Sequence, residues 1–170
     1  SRGLGDVYKR QLYPHEMSGG MLQRVAIVIS LLHNPKLLVF DEATTALDVV
    51  TQGQILEEVV QMEKNIEMTR IMITHDMSVV ASSCKKVAVM YAGELVEIGL
   101  VRDVLKNPLH PYTQALLSAI PRRDPSEPKT RIHLQGDVPS PANPPSGCPF
   151  HNRCPQCMGI CKAVSYTHLT

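Results

Sequence analysis

The chain holds 170 residues, 44% of them hydrophobic, with 17 lysines and arginines against 16 aspartates and glutamates. That length suffices for one domain with a real core, or a small domain plus a tail. Near-neutral charge and 4% aromatic residues leave no basic stripe for nucleic acid, and no apolar run approaches the ~20 residues that span a bilayer.

No apolar stretch follows the basic residues near the N-terminus, so no signal-peptide pattern is present and any membrane role must come through a partner. The first predicted element follows Glu16-Met-Ser-Gly-Gly-Met-Leu-Gln-Arg24. Val25-Ala-Ile-Val-Ile-Ser-Leu-Leu32 is apolar on nearly every face and reads as a buried helix, stopped by Asn34-Pro35. Ser18 is the expected N-cap, and Gly19 and Gly20 leave the first backbone N–H groups uncovered. Bare N–H groups at a helix start suit a phosphate. An ordinary Ser-Gly cap explains the same residues, and this stretch alone does not separate the two readings.

Leu37-Leu-Val-Phe40 reads as a strand buried on both faces. Asp48 or Thr51 caps a helix carrying Ile55, Leu56, Val59, Val60 and Met62 at helical spacing. Ile71-Met-Ile73 is a second buried strand, followed by His75-Asp76 and a short helix to about Cys84. Strand, helix and strand in this order predict a right-handed crossover in a parallel sheet. Val87–Tyr91 and Glu94–Ile98 form a hairpin around Ala92-Gly93, and short helices follow near Val101–Lys106 and Tyr112–Ala119. Nine of the 13 prolines lie between Pro121 and Pro155, which marks a tail with little secondary structure.

Asp41-Glu42 ends the first strand, on the rim where open parallel sheets bind ligands. One carboxylate suits magnesium, and its neighbour can deprotonate a water for attack on a phosphoryl group. An acidic pair simply exposed in a loop is the competing reading. His75 ends the second strand on the same rim, where the topology brings it beside Glu42; a lone structural histidine is the bland alternative. Cys148, Cys154, Cys157 and Cys161 fall close together in the tail, a spacing that favours metal over disulfides. Cys84 stands apart as a small buried hydrophobe.

Ser18-Gly-Gly-Met21, Leu37-Leu-Val-Phe-Asp-Glu42, Thr45-Ala-Leu-Asp48 and Ile73-Thr-His-Asp76 occur in the order and spacing of the ABC ATPases. They resemble that family's signature motif, Walker B strand, D-loop and switch histidine. The resemblance implies an α/β P-loop NTPase domain, with a parallel sheet and flanking helices. It also implies that ATP and magnesium are used, with Asp41 serving Mg2+, Glu42 as general base and His75 at the γ-phosphate. Ser18, Gly19 and Gly20 would face ATP held by a second ATPase subunit in a head-to-tail dimer, and Asp48 would lie in the D-loop. Within the family, Tyr13-Pro-His-Glu16, Val89–Glu94, Asn107–Thr113 and Val138 to Cys148 are most similar to oligopeptide/dipeptide uptake ATPases. That implies transmembrane permease partners, no nucleic acid, and a peripheral place on the cytoplasmic face of the cell membrane. Ala43 replaces the proline usual after the Walker B acids.

No Gly-x-x-x-x-Gly-Lys-[Ser/Thr] occurs, so the phosphate-cradling loop is missing and this chain alone is expected to turn over no ATP. Residues 12–106 are read as a partial ATPase domain and 107–163 as the peptide-transporter extension. Residues 1–11 and 164–170 resemble translated adapter read-through and are set aside as non-native. For the tail, the resemblance implies a 4Fe–4S cluster on Cys148, Cys154 and Cys161, with Cys157 as substitute ligand or bystander. Zinc remains the runner-up, and free thiols are a third reading. Two other functions compete with peptide uptake: a soluble ABC ATPase acting on ribosomes or DNA, and an iron–sulfur module with vestigial ATPase motifs.

Overall fold

In a computed structural model of the chain, residues 12–43, 49–65, 68–120, 131–140 and 142–165 are described. Asp48, expected in the D-loop, and the expected leader over residues 1–11 lie outside them. The chain divides into two compact units, residues 1–76 and 77–170.

In the first unit, Ser18 takes an extended conformation and its hydroxyl accepts the Met21 N–H at 3.3 Å, which starts helix α1 (Gly19–Leu31). Asn34, at φ 47°, turns the chain out of the helix and donates its N–H to Leu31. Strand β1 (Leu37–Asp41) then pairs in parallel with β2 (Thr69–Ile73), with Val39 opposite Ile71 and Asp41 opposite Ile73. Helix α2 (Val49–Asn65) makes the connection, as strand–helix–strand order requires. Leu38 and Phe40 of β1 pack with Ile55, Val59 and Met68 into one core, which Ile27 and Leu31 of α1 reach from its edge. Each such buried side chain contributes about 1.5–3 kcal/mol of transfer free energy.

Four expectations are corrected here. Strand β2 buries none of its residues, leaving Ile71 and Ile73 about half exposed, and Cys84 is only partly buried. Helix α1 buries no residue, and Leu22, Val25, Val28, Ile29 and Leu32 are exposed. Strand β1 buries alternate residues only, leaving Leu37 and Val39 about half exposed. A helix or strand apolar on all sides needs partners on all sides, and the described residues of this unit cover one side of each.

The second unit opens with helix α3 (Met77–Ser83) and a hairpin of β3 (Lys86–Tyr91) and β4 (Glu94–Leu100). Its turn residues Ala92 and Gly93 both have positive φ, 49° and 84°, the pattern that matches the right-handed twist of paired strands. The described strands thus form two separate two-stranded sheets, one parallel and one antiparallel. Helices α4 (Val101–Lys106) and α5 (Pro111–Ser118) follow. The Glu97 carboxylate accepts the N–H groups of Leu109 (2.9 Å) and His110 (3.0 Å), fixing the approach to α5. His110 then caps that helix, its Nδ1 accepting from the Tyr112 N–H at 3.1 Å.

The described tail, residues 131–140 and 142–165, runs in turns and one short 3-10 helix (Gly159–Lys162), yet it is tied down. Phe150 is fully buried among Tyr91, Tyr112 and His110, and the Arg153 guanidinium donates to the Tyr91 hydroxyl and the Gln135 carbonyl. Gly147, at φ 72°, brings the chain against the Cys161 carbonyl, where any Cβ would collide. The adjacent Cys148 N–H donates to that same carbonyl at 2.9 Å.

Phe150→Ala empties the centre of this aromatic group and is expected to cost about 3–5 kcal/mol. Urea unfolding checks the value, with Phe150→Leu losing markedly less. His110 yields a pH dependence. Burial holds its proton affinity below the ordinary histidine value, an effect the Glu97 charge opposes only in part. Above about pH 6.5 folded and unfolded chains both carry neutral imidazole, so the full stability is present. As pH falls through that value the unfolded chain takes the proton first, and stability declines until the folded-state value is passed. His110→Asn keeps a capping side chain and should flatten this decline in thermal melts between pH 7.5 and about pH 5.

Candidate functional site

The carboxyl ends of β1 and β2 bring the candidate residues Asp41, Glu42 and His75 to one rim. Asp41 is the last residue of β1 and lies opposite Ile73, with its side chain exposed. Glu42 follows in the left-handed region, φ 47°, which a non-glycine residue occupies at a cost of about 1–2 kcal/mol. Its N–H donates to the Ile73 carbonyl at 2.9 Å, extending the ladder by one bond and holding the turned backbone in place. The turn sends the Glu42 carboxylate toward β2, where Oε1 lies 3.3 Å from His75 Nδ1. Both side chains are more than half exposed, so the contact is open to a ligand, and as an ion pair it contributes at most about 1 kcal/mol.

His75 is set by its neighbour. The Thr74 hydroxyl accepts the Asp76 N–H at 3.0 Å, closing a small side-chain turn around His75. Thr74 is assigned no role in the Ile73-Thr-His-Asp76 motif, although a threonine hydroxyl commonly accepts the backbone N–H two residues on. The sequence carries no signal for the left-handed backbone at Glu42, because a glutamate does not announce a positive φ.

Asp41, Glu42 and His75 therefore share one rim. Ser18, Gly19 and Gly20 stand at the start of α1, and a Cβ built at Gly19 would meet nothing within 4 Å, so that backbone is open. Asp48 lies outside the described residues. A hard cation takes oxygen ligands, and the exposed carboxylate of Asp41 is a donor of that type.

The metal expectation for the tail does not fit. Among the described residues no three His, Cys, Asp or Glu side chains stand where they could share a metal ion. Cys148 and Cys161 are joined through their backbones, the Cys148 N–H donating to the Cys161 carbonyl at 2.9 Å. Burial of Phe150, however, draws Cys148 and Cys154 against the core, while Cys157 stays exposed and the Cys161 sulfur accepts the Met158 N–H at 3.4 Å. Burial, the largest influence on Cys154, pushes its thiol pKa up, and the neighbouring thiols push the same way. The set Cys148, Cys154, Cys157 and Cys161 is thus no assembled shell for a 4Fe–4S cluster or zinc.

The ABC transporter family matches residues 2–45, and the family described as the oligopeptide/dipeptide transporter, C-terminal region, matches residues 96–161. The oligopeptide transport ATP-binding protein OppD of Escherichia coli K12 is 49% identical over 156 residues, covering 92% of this chain and 46% of that protein. The dipeptide transport ATP-binding protein DppD of Haemophilus influenzae is 45% identical, covering 95% of this chain and 49% of that protein. Among solved structures, cbiO1 of Clostridium perfringens, part of the ABC transporter complex cbiONQ, superposes with a TM-score of 0.51 at 35% identity. That superposition covers 55% of this chain and 37% of the other. The chain spans about half the length of the curated relatives it matches. The two family matches and near-half identity over more than nine-tenths of the chain agree on one assignment: it belongs to the ABC transporter ATP-binding family, in the oligopeptide/dipeptide group.

Proposed function

We propose that the protein of which this chain forms a part is the ATP-hydrolysing subunit of an importer for oligopeptides or dipeptides. The observation that carries this reading is the meeting of Glu42 and His75 beside Asp41 at the carboxyl rim of the parallel sheet. The peptide-transport names of the relatives support the substrate class. Near-neutral charge speaks against a nucleic-acid or ribosomal role. The unassembled thiols speak against an iron–sulfur module with vestigial motifs.

In this reading Glu42 is the base that takes a proton from the attacking water, and its left-handed backbone aims the carboxylate. His75, held by the Thr74 turn, orients that carboxylate through Nδ1 and stands ready for the γ-phosphate. Magnesium held by Asp41 would neutralise charge on the phosphate oxygens. Ser18 and the glycine backbone of α1 complete the ATP site of a second ATPase subunit, and Asp48 acts from the D-loop between them. Among the described residues no helix is long and apolar enough to cross a membrane. The subunit works from the cytoplasmic face of the cell membrane, peripheral to its permease.

In the full-length protein, Glu42→Gln keeps the side-chain size and removes the base. ATP binding should persist while kcat falls by about 10²–10⁴-fold. A variant hydrolysing near the wild-type rate would remove Glu42 from the mechanism. Ser18→Arg should act differently, leaving nucleotide binding to the isolated subunit intact but suppressing ATP-dependent dimerisation, as read by light scattering.

A further inference from the structure

Helix α1 meets the core of its unit along one line of residues. Ile27 and Leu31, at helical spacing, pack against the cluster of Leu38, Phe40, Ile55, Val59 and Met68. Arg24 continues that line by one turn toward Ser18. There its guanidinium donates to the side-chain oxygen of Gln54 in α2 at 3.2 Å, 30 positions along the chain. Gln54 directly precedes the buried Ile55, so the bond reaches α2 at the edge of its packed face.

This bond lies near the end of α1 that carries the glycines. At 1.5 Å per residue, Arg24 stands about 8 Å along the helix from Gly19. No residue of α1 is buried, and its apolar contacts with the core come from Ile27 and Leu31. The stretch between Ser18 and Arg24 is therefore held by the Ser18 cap at one end and by Gln54 at the other. Gln54 itself belongs to a helix whose Ile55 and Val59 close over Leu38 and Phe40 of β1, the strand that ends in Asp41. A guanidinium presents its donors in a rigid plane, which fixes direction as well as distance.

We propose that Arg24 is a positioning residue: through Gln54 it sets where α1 presents Ser18, Gly19 and Gly20 to the ATP of a second ATPase subunit. This rests on the reading of the chain as part of an ATPase that pairs head to tail. Arg24 acts through α2 and the core beneath Asp41, not on the nucleotide. Both side chains are exposed, so the bond contributes modestly, and its loss should weaken dimer closure without abolishing it.

The test uses the full-length protein in the Glu42→Gln background, where ATP is expected to drive dimerisation without turnover. Light scattering gives the ATP concentration at half-dimerisation, and a fluorescent ATP analogue measures binding to the isolated subunit. Arg24→Met and Gln54→Leu should each raise the half-dimerisation concentration about three- to tenfold, with binding to the isolated subunit unchanged. The double variant should lose no more than either single one, because both break the same bond. Gln54→Glu keeps an acceptor for Arg24 and should dimerise as the parent does. Parent-like dimerisation of Gln54→Leu would overturn the proposal, and so would additive losses in the double variant. A matching loss of nucleotide binding by the isolated subunit would overturn it too, marking a merely structural bond. A parent that forms no ATP-dependent dimer would remove the head-to-tail reading, and the proposal with it.

Discussion

Parallel pairing of β1 with β2, carried one bond further by Glu42 N–H to Ile73 C=O, is the constraint on which the site depends. Without that last bond, a glutamate would have no reason to remain at φ 47°. With it, the carboxylate turns across the strand end and reaches His75, 33 positions along the chain. The pairing is itself driven by one buried face: Leu38 and Phe40 alternate with exposed residues, and Ile55 and Val59 of the connecting helix close over them. A slip of one residue would move Leu38 and Phe40 to the exposed face and break the core. Register and site geometry are therefore maintained by the same contacts.

A different device organises the second unit. Proline-rich chain has few backbone hydrogen bonds of its own, so a tail of this composition is ordered by side-chain anchors. Phe150 serves as that anchor, enclosed by Tyr91, Tyr112 and His110, with Arg153 bonded to the Tyr91 hydroxyl. Glu97 secures the other side of the cluster by taking two consecutive backbone N–H groups ahead of α5. The cysteines inherit their environments from this arrangement. Those next to the anchor are pulled inward, and Cys157, three residues beyond Cys154, is left outside.

Exposed apolar residues on α1 and β1 bear on the same physics. Val28, Ile29, Leu37 and Val39 have the composition of interior positions, yet more than half of each is accessible. The chain accounts for about half the length of its curated relatives. Hydrophobic pattern reports the burial a segment is suited to, and the amount realised depends on which neighbours are present.

Much of the fold was legible without coordinates, for local reasons. Ser18 before a helix, Asn34-Pro35 after it, and Ala92-Gly93 between two strands each encode their structure in a few adjacent residues, and the cap, the stop and the turn form as read, although the helix is not buried. Asp41-Glu42 and His75 could be placed at strand ends because chemistry and topology agree on that rim. Other features were decided by tertiary structure alone. The left-handed turn at Glu42 depends on a carbonyl from another strand, and the burial of Phe150 on three rings from two distant segments. Cysteine spacing suggested a metal shell, but whether thiols converge depends on where the chain between them is pinned, and Phe150 pins it elsewhere. What is encoded by neighbours in sequence could be read from sequence; what is encoded by neighbours in space required the fold.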